Sequence, residues 1–157
     1  MLERETIAFL ESGCGVVVGT VGADGAPHAS RGWGITVVST DPTEVRLLLD
    51  ADDTVAAYYL AATGNVAVTA GDIHTLQAIQ FKGQASPVEP ATPDERVRAE
   101  RYADEFFANI NDVDGTPLDL LNGLRVENYV ACTVAVEELY DQTPGPAAGT
   151  RLTERAP

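Results

Sequence analysis

The sequence predicts a mainly β chain with inserted helices, closed into a small barrel of about six mostly antiparallel strands. Three observations predict it. Short apolar runs rich in valine recur along the chain, as in VVVGTV at 16–21 and NVAVTA at 65–70. Runs that neighbour in sequence are joined by short turns, which favours antiparallel pairing. Helical patterns appear only as two or three insertions between them. About six strands in so short a chain suggest closure into a small barrel.

Residues 2–12 read as a short helix with Leu2, Ile7 and Leu10 on or near one face and Gly13 as its stop. The strand at 16–21 is followed by ADGAP, a turn with Asp-Gly at its centre. Its partner runs from about Pro27 to Ser39, which makes a long hairpin. TDPTE at 40–44 is a second turn, and VRLLL at 45–49 is a short buried strand. Residues 50–64 read as a helix: an Asp precedes it, Val55, Tyr58, Tyr59 and Ala62 give it a face, and Gly64 ends it. After the strand at 65–70, residues 75–90 begin as a strand and bend out at their prolines. Thr92, Pro93 and Glu95 form a capping box at the start of a helix that runs to about Ile110. NDVDGTPLD reads as a loop, and VENYVACTVAVEELY at 126–140 as the last long strand. Residues 1–149 thus form one domain, and 150–157 read as a loose tail.

At 157 residues and 45% hydrophobic, the chain is long enough for one real core. No apolar run approaches the length of a membrane span. The N-terminus carries acids where a secretory signal carries positive charge, so a cytoplasmic protein is expected. The formal net charge is −14. That argues against a nucleic-acid partner and against an anionic membrane surface. Cys14 and Cys132 stand apart in apolar context and read as buried thiols. With only His28 and His74 besides, no metal site is expected. No GxGxxG or GxxxxGK[ST] phosphate loop is present.

PHASRGWG at 27–34 concentrates unusual residues in one strand. Strict alternation puts Arg31, Trp33, Ile35 and Val37 on one face. His28, Ser30, Gly32, Gly34 and Thr36 take the other. Two glycines on one face either leave a shelf for a flat ligand or relieve crowding between strands. Alternation likewise splits 75–85 into a core face with Ile79, Phe81 and Gly83 and a polar face with Gln80, Lys82 and Gln84. Gln80 and Lys82, the only lysine, could meet an anionic, hydrogen-bonding ligand. A solvated polar face is the plainer reading.

The segments FLESG, VGTVGADGAPHASRGWG, ATGNVAVTAG, TLQAIQFKGQA and VEELYDQTPGPAAG, in this order, resemble the pyridoxamine 5′-phosphate oxidase-like family of FMN-binding split β-barrels. The likeness covers roughly residues 9–149 and lies in the order and spacing of elements. It implies a homodimeric split barrel, an FMN cofactor in a cleft touching both subunits, and an oxidoreductase acting on a small molecule. By matching segments it places Ser30, Arg31, Gly32, Trp33, Leu48, Leu49, Asp50, Gln80 and Lys82 at the cofactor, with Arg31 at its anionic end. Many relatives grip the phosphate with Arg or Lys near the start of the helix after the third strand. Here Asp50, Asp52 and Asp53 stand there, where they would repel it. Thr54 and Arg46 are the expected substitutes. The C-terminal Arg/His signature of the true pyridoxamine phosphate oxidases is not recognisable, so vitamin B6 oxidation is not implied. No catalytic side chain is assigned. The alternative is a non-catalytic binding module holding haem, a deazaflavin or no cofactor, with His28 or His74 as candidate haem ligand.

Overall fold

The computed structural model describes residues 2–152; residues 153–157 of the expected tail, Arg155 among them, lie outside it, whereas Thr150 and Arg151 form a short strand. Twelve elements follow one another along the chain: α1 (Arg4–Leu10), β1 (Gly15–Val21), β2 (Pro27–Thr40), β3 (Thr43–Asp50), α2 (Thr54–Thr63), β4 (Asn65–Gly71), β5 (Ala78–Ala85), β6 (Glu89–Pro90), α3 (Pro93–Asp114), α4 (Leu118–Asn122), β7 (Tyr129–Asp141) and β8 (Thr150–Arg151). The strands pair in the order β3-β2-β1-β4-β5-β7, and β3 pairs back onto β7. All these pairings are antiparallel, so six strands close into a barrel. The short β6 and β8 attach to β7 as additional pairings. No helix among the described residues is long and apolar enough to cross a membrane.

Alternation supplies the barrel interior. Val16 and Val18 of β1, Val45 and Leu47 of β3, Val68 of β4, Phe81 of β5 and Cys132 and Val134 of β7 are all buried. The two cysteines are free thiols in this core. Helix α2 packs against β1, β2 and β4 through Ala56 and Leu60. Its start is set by Asp53, whose carboxylate accepts from the Ala56 amide at 3.0 Å, so the helix begins at Thr54 rather than at 50.

The same core continues between α3 and the outside of the barrel. Helix α3 packs on β2. Trp33 meets Phe107 and Tyr129 edge to face there, with ring centroids 6.2 Å from each. The capping box at Thr92 and Glu95 forms as its sequence predicts. The helix then runs on to Asp114, four residues past the expected end, because NDVD contains no breaker before Gly115 takes a positive φ. Part of the expected loop is the short α4.

Three irregularities break the ideal ladder: on β2 between Gly32 and Ile35 and between Val37 and Ser39, and on β7 at Glu137, opposite Lys82 and Gly83 of β5. A bulge inserts a residue, bends the strand and lets a barrel corner close. Strand β5 starts at Ala78 because residues 72–77 form a turn, in which the Asp72 carboxylate accepts from the His74 and Thr75 amides.

Candidate functional site

Helix α3 covers the outside of β2, but the outer faces of β1, β4 and β5 include exposed positions. Val17 there is 57% exposed. Register places residues of five strands in two rows on this face. Arg31, Val17, Thr69, Gln80 and Tyr140 form one. Ala29, Gly19, Ala67, Lys82 and Glu138 form the next. A charged and hydrogen-bonding rim thus flanks a floor of small residues.

Each polar side chain has a defined neighbour. The Arg31 guanidinium lies 5.5 Å over the Phe106 ring, and among the described residues it enters no ion pair. Gln80 Nε2 donates to Thr69 Oγ1 at 2.9 Å. The Lys82 ammonium sits 5.2 Å from the Tyr140 ring, whose hydroxyl donates to Glu138 Oε2 at 2.5 Å. That bond to a carboxylate raises the Tyr140 pKa above its ordinary value. Beside Arg31 is a hollow of about 500 Å³ lined by Gly15, Val17, Ala29, Thr69, Gly71 and Phe106. A second, of about 390 Å³, lies around Lys82, Asn65, Gln84 and Glu138.

Of the residues expected at a cofactor, Arg31, Gln80 and Lys82 come together on this face. Of the others, Ser30 alone borders the hollow, with its side chain turned away. Ser30 faces the opposite side of β2 and donates to the Asp53 carboxylate, which also takes His28 Nε2 at 2.9 Å. Trp33 is 3% exposed beneath α3 and has no face open to a ligand. Leu48 and Leu49 are core. Gly32 makes no shelf: a Cβ there would stand 2.3 Å from Val16 Cγ1, so the glycine relieves crowding inside the barrel. Gly34 is required by its φ of +134° at the bulge. Arg46 is no substitute phosphate cation, since its Nε donates to Glu95 at 2.8 Å and its Nη1 to Glu89 and Thr133 at 3.0 Å each. Asp50 and exposed Thr54 flank the start of α2. His28 lies across the sheet from the hollow, and His74 sits in the turn after β4 with Asn109 and Asp112 for neighbours.

Sequence reasoning missed Val17, Thr69 and Phe106. A run of three valines hides which one faces out, and Phe106 reads as an ordinary core residue of its helix.

Solved structures share this architecture. HupZ from Group A Streptococcus aligns at 16% identity over 95% of this chain and 100% of its own, with a TM-score of 0.56. A candidate pyridoxamine 5′-phosphate oxidase from Lactobacillus delbrueckii aligns at 20% identity, over 88% and 93%, with a TM-score of 0.54. An F420 reductase aligns at 17% identity, over 88% and 98%, with a TM-score of 0.50. The fold is the pyridoxamine 5′-phosphate oxidase-like split barrel. At these identities the likeness is one of fold. No protein-family model and no curated protein matches the chain.

The two places to which the resemblance assigns a flavin, at Arg31 and at the start of α2, differ in their chemistry. The hollow beside Arg31 is lined mostly by small and apolar residues, and a Cβ at Gly71 would meet nothing within 4 Å. The start of α2 is a poor phosphate site. Asp53 occupies it with its own carboxylate. Burial raises the Asp53 pKa, but hydrogen bonds from Ser30, the Ala56 amide and His28 outweigh it and hold the group below the usual range. Asp53 is therefore a fixed negative charge.

Proposed function

We propose that this chain binds a flavin on the outer face of its split barrel, between two copies of itself, and uses it as an oxidoreductase on a small molecule. Arg31 carries the reading. A guanidinium stacked on one aromatic ring, with no carboxylate partner among the described residues, is poised to meet the anionic or electron-rich edge of a flat ligand. Gln80 and Thr69 in the same row supply further hydrogen-bonding groups. The bound flavin would supply the electron-transfer chemistry, while the protein holds and orients it. FMN is the form that the sequence resemblance implies.

The test is a visible absorption spectrum of the freshly purified protein, with the mass of any released ligand. Flavin bands and a flavin mass support the reading. A colourless protein that takes up neither FMN nor riboflavin overturns it.

One observation favours a second reading, a binding module without catalysis. Among the described residues Arg31 is the only titratable one lining the larger hollow, and none there is placed to move a proton. A bound flavin that no nicotinamide or reduced deazaflavin donor can reduce would support this second reading.

A further inference from the structure

The bulge on β7 turns two consecutive carboxylates into one hollow. The register with β5 jumps from Lys82 opposite Glu138 to Gly83 opposite Val136, which leaves Glu137 as the extra residue. Val136 and Leu139 both pack against the core. They are three positions apart instead of two, so Glu137 and Glu138 both face outward. Both line the hollow of about 390 Å³ that also holds Lys82, the only lysine of the chain.

The opposite charges in this hollow are kept apart. Lys82 and Glu138 occupy directly paired positions, where opposite charges ordinarily meet across two strands. Yet among the described residues Lys82 enters no ion pair. Tyr140 engages both instead: its ring lies 5.2 Å from the Lys82 ammonium, and its hydroxyl donates to Glu138 Oε2 at 2.5 Å. Arg151 reaches Glu137 at its backbone carbonyl, at 3.3 Å, and not at its carboxylate. Gln84 Nε2 donates to Asn65 Oδ1 at 2.6 Å, which leaves the Asn65 amide nitrogen free to donate. Gly19, Ala67 and Gly83 line the same hollow and leave room for a ligand close to the backbone. Its volume falls within the range of about 300–1,000 Å³ usual for small-molecule sites. A simple anion there would be repelled by the two glutamates, and a simple cation by Lys82. A molecule that carries both charges avoids both penalties.

We propose that this hollow binds a small zwitterion of the α-amino acid class, with its carboxylate toward Lys82 and the Asn65 amide and its ammonium toward Glu137 and Glu138. The site is independent of the flavin reading, since every group that forms it belongs to this chain.

The experiment is a titration of the isotope-labelled protein, followed by amide chemical shifts, with each proteinogenic L-amino acid. The N-acetyl and carboxamide derivatives of the tightest binder, which lack the ammonium and the carboxylate charge respectively, are titrated beside it. At least one amino acid is expected to shift the Lys82, Gln84 and Glu138 amides saturably. Each derivative is expected to bind roughly tenfold more weakly, the loss of one charge-assisted contact. Lys82→Met should erase the difference between the amino acid and its carboxamide. The double variant Glu137→Gln, Glu138→Gln should erase the difference between the amino acid and its N-acetyl derivative. A merely structural role would weaken all three ligands together and leave their ratios unchanged. Should a variant fail to fold, the three ligands on the wild type decide alone. No saturable shift with any amino acid, derivatives that bind as tightly as the parent, or unchanged ratios in folded variants overturn the proposal.

Discussion

Arg31 lies over the ring of Phe106, with its guanidinium carbon 5.5 Å from the centroid, and this contact ties the outer sheet face to α3. The pairing orients the guanidinium without neutralising it. Arg31→Ala is therefore expected to weaken flavin binding about tenfold, the loss of one charge-assisted contact worth roughly 1.5 kcal/mol. Arg31 is exposed, so the melting temperature should barely move. Titration of flavin into the variant, beside a melt, checks both halves. Unchanged affinity in a folded variant removes Arg31 from the site.

Arg46 and Glu95 hold α3 against the barrel wall, with side chains only 17% and 11% exposed. Arg46→Met leaves the Glu95 carboxylate buried without its partner, at an expected loss of about 3 kcal/mol. At about 2–4 °C per kcal/mol for a chain of this size, the melting temperature should fall by about 6–12 °C.

The same carboxylate makes stability depend on pH. Burial pushes the Glu95 pKa up, but Arg46 and the Thr92 amide outweigh burial and hold it below the ordinary value. A group whose pKa is lower folded than unfolded stabilises the fold above its unfolded pKa, about 4.3 for Glu. That stability disappears as pH falls through the folded value. Asp53 acts in the same direction. Urea unfolding between pH 7 and pH 3 should show the wild type weakening below about pH 4.3, with a shallower slope in Arg46→Met. A pH-independent midpoint would sink this account.

Local signals were legible in the sequence where they depended on neighbours in the chain. The Asp-Gly turn, the Thr92–Pro93–Glu95 start of α3 and the faces of β5 could all be read from adjacent residues. Strict alternation fails at Gly32–Ile35, because a bulge leaves no mark in the pattern beyond a glycine that has two explanations. Arg46 could be read only as a cation without a partner. Its acceptors, Glu89 and Glu95, lie 43 and 49 residues further on and are brought to it by barrel closure. Alternation put Gln80 and Lys82 on one face of β5, but only the register of three strand pairs sets Arg31 on that same face.

Two glycines separate folding from binding. A Cβ at Gly83 would fall 1.9 Å from the Ala135 carbonyl oxygen, where β5 and β7 cross at a bulge. Backbone cannot yield as a side chain does. Gly83→Ala should thus reach the upper end of overpacking losses, about 3 kcal/mol. Gly71 has open space at the same test, so Gly71→Ala should keep the melting temperature within about 2 °C. Because Gly71 lines the hollow beside Arg31, its methyl should still lower flavin affinity. Melts and titrations on both variants check this division. A Gly71→Ala protein with unchanged affinity would move the ligand off this part of the face.

Val17 stands in the row between Arg31 and Thr69, 57% exposed, with Gly19, Ala29 and Ala67 in the next row. Small residues around one exposed valine allow a second sheet to approach closely, and a covered apolar face gains about 25 cal/mol for each Å² removed from water. A second copy of this chain is the occupant that the homodimer reading requires. Val17→Asp then buries a carboxylate without a partner in each half of the interface, a severe penalty. On the surface of a lone subunit the same change alters little beyond strand preference, up to about 1 kcal/mol. Sedimentation at micromolar concentration should therefore find the wild type as a dimer and Val17→Asp as a folded monomer with an unchanged far-ultraviolet circular dichroism spectrum. A monomeric wild type would leave the outer face as the wall of a single-chain site, and every contact to flavin would then have to come from the two rows that hold Arg31 and Lys82.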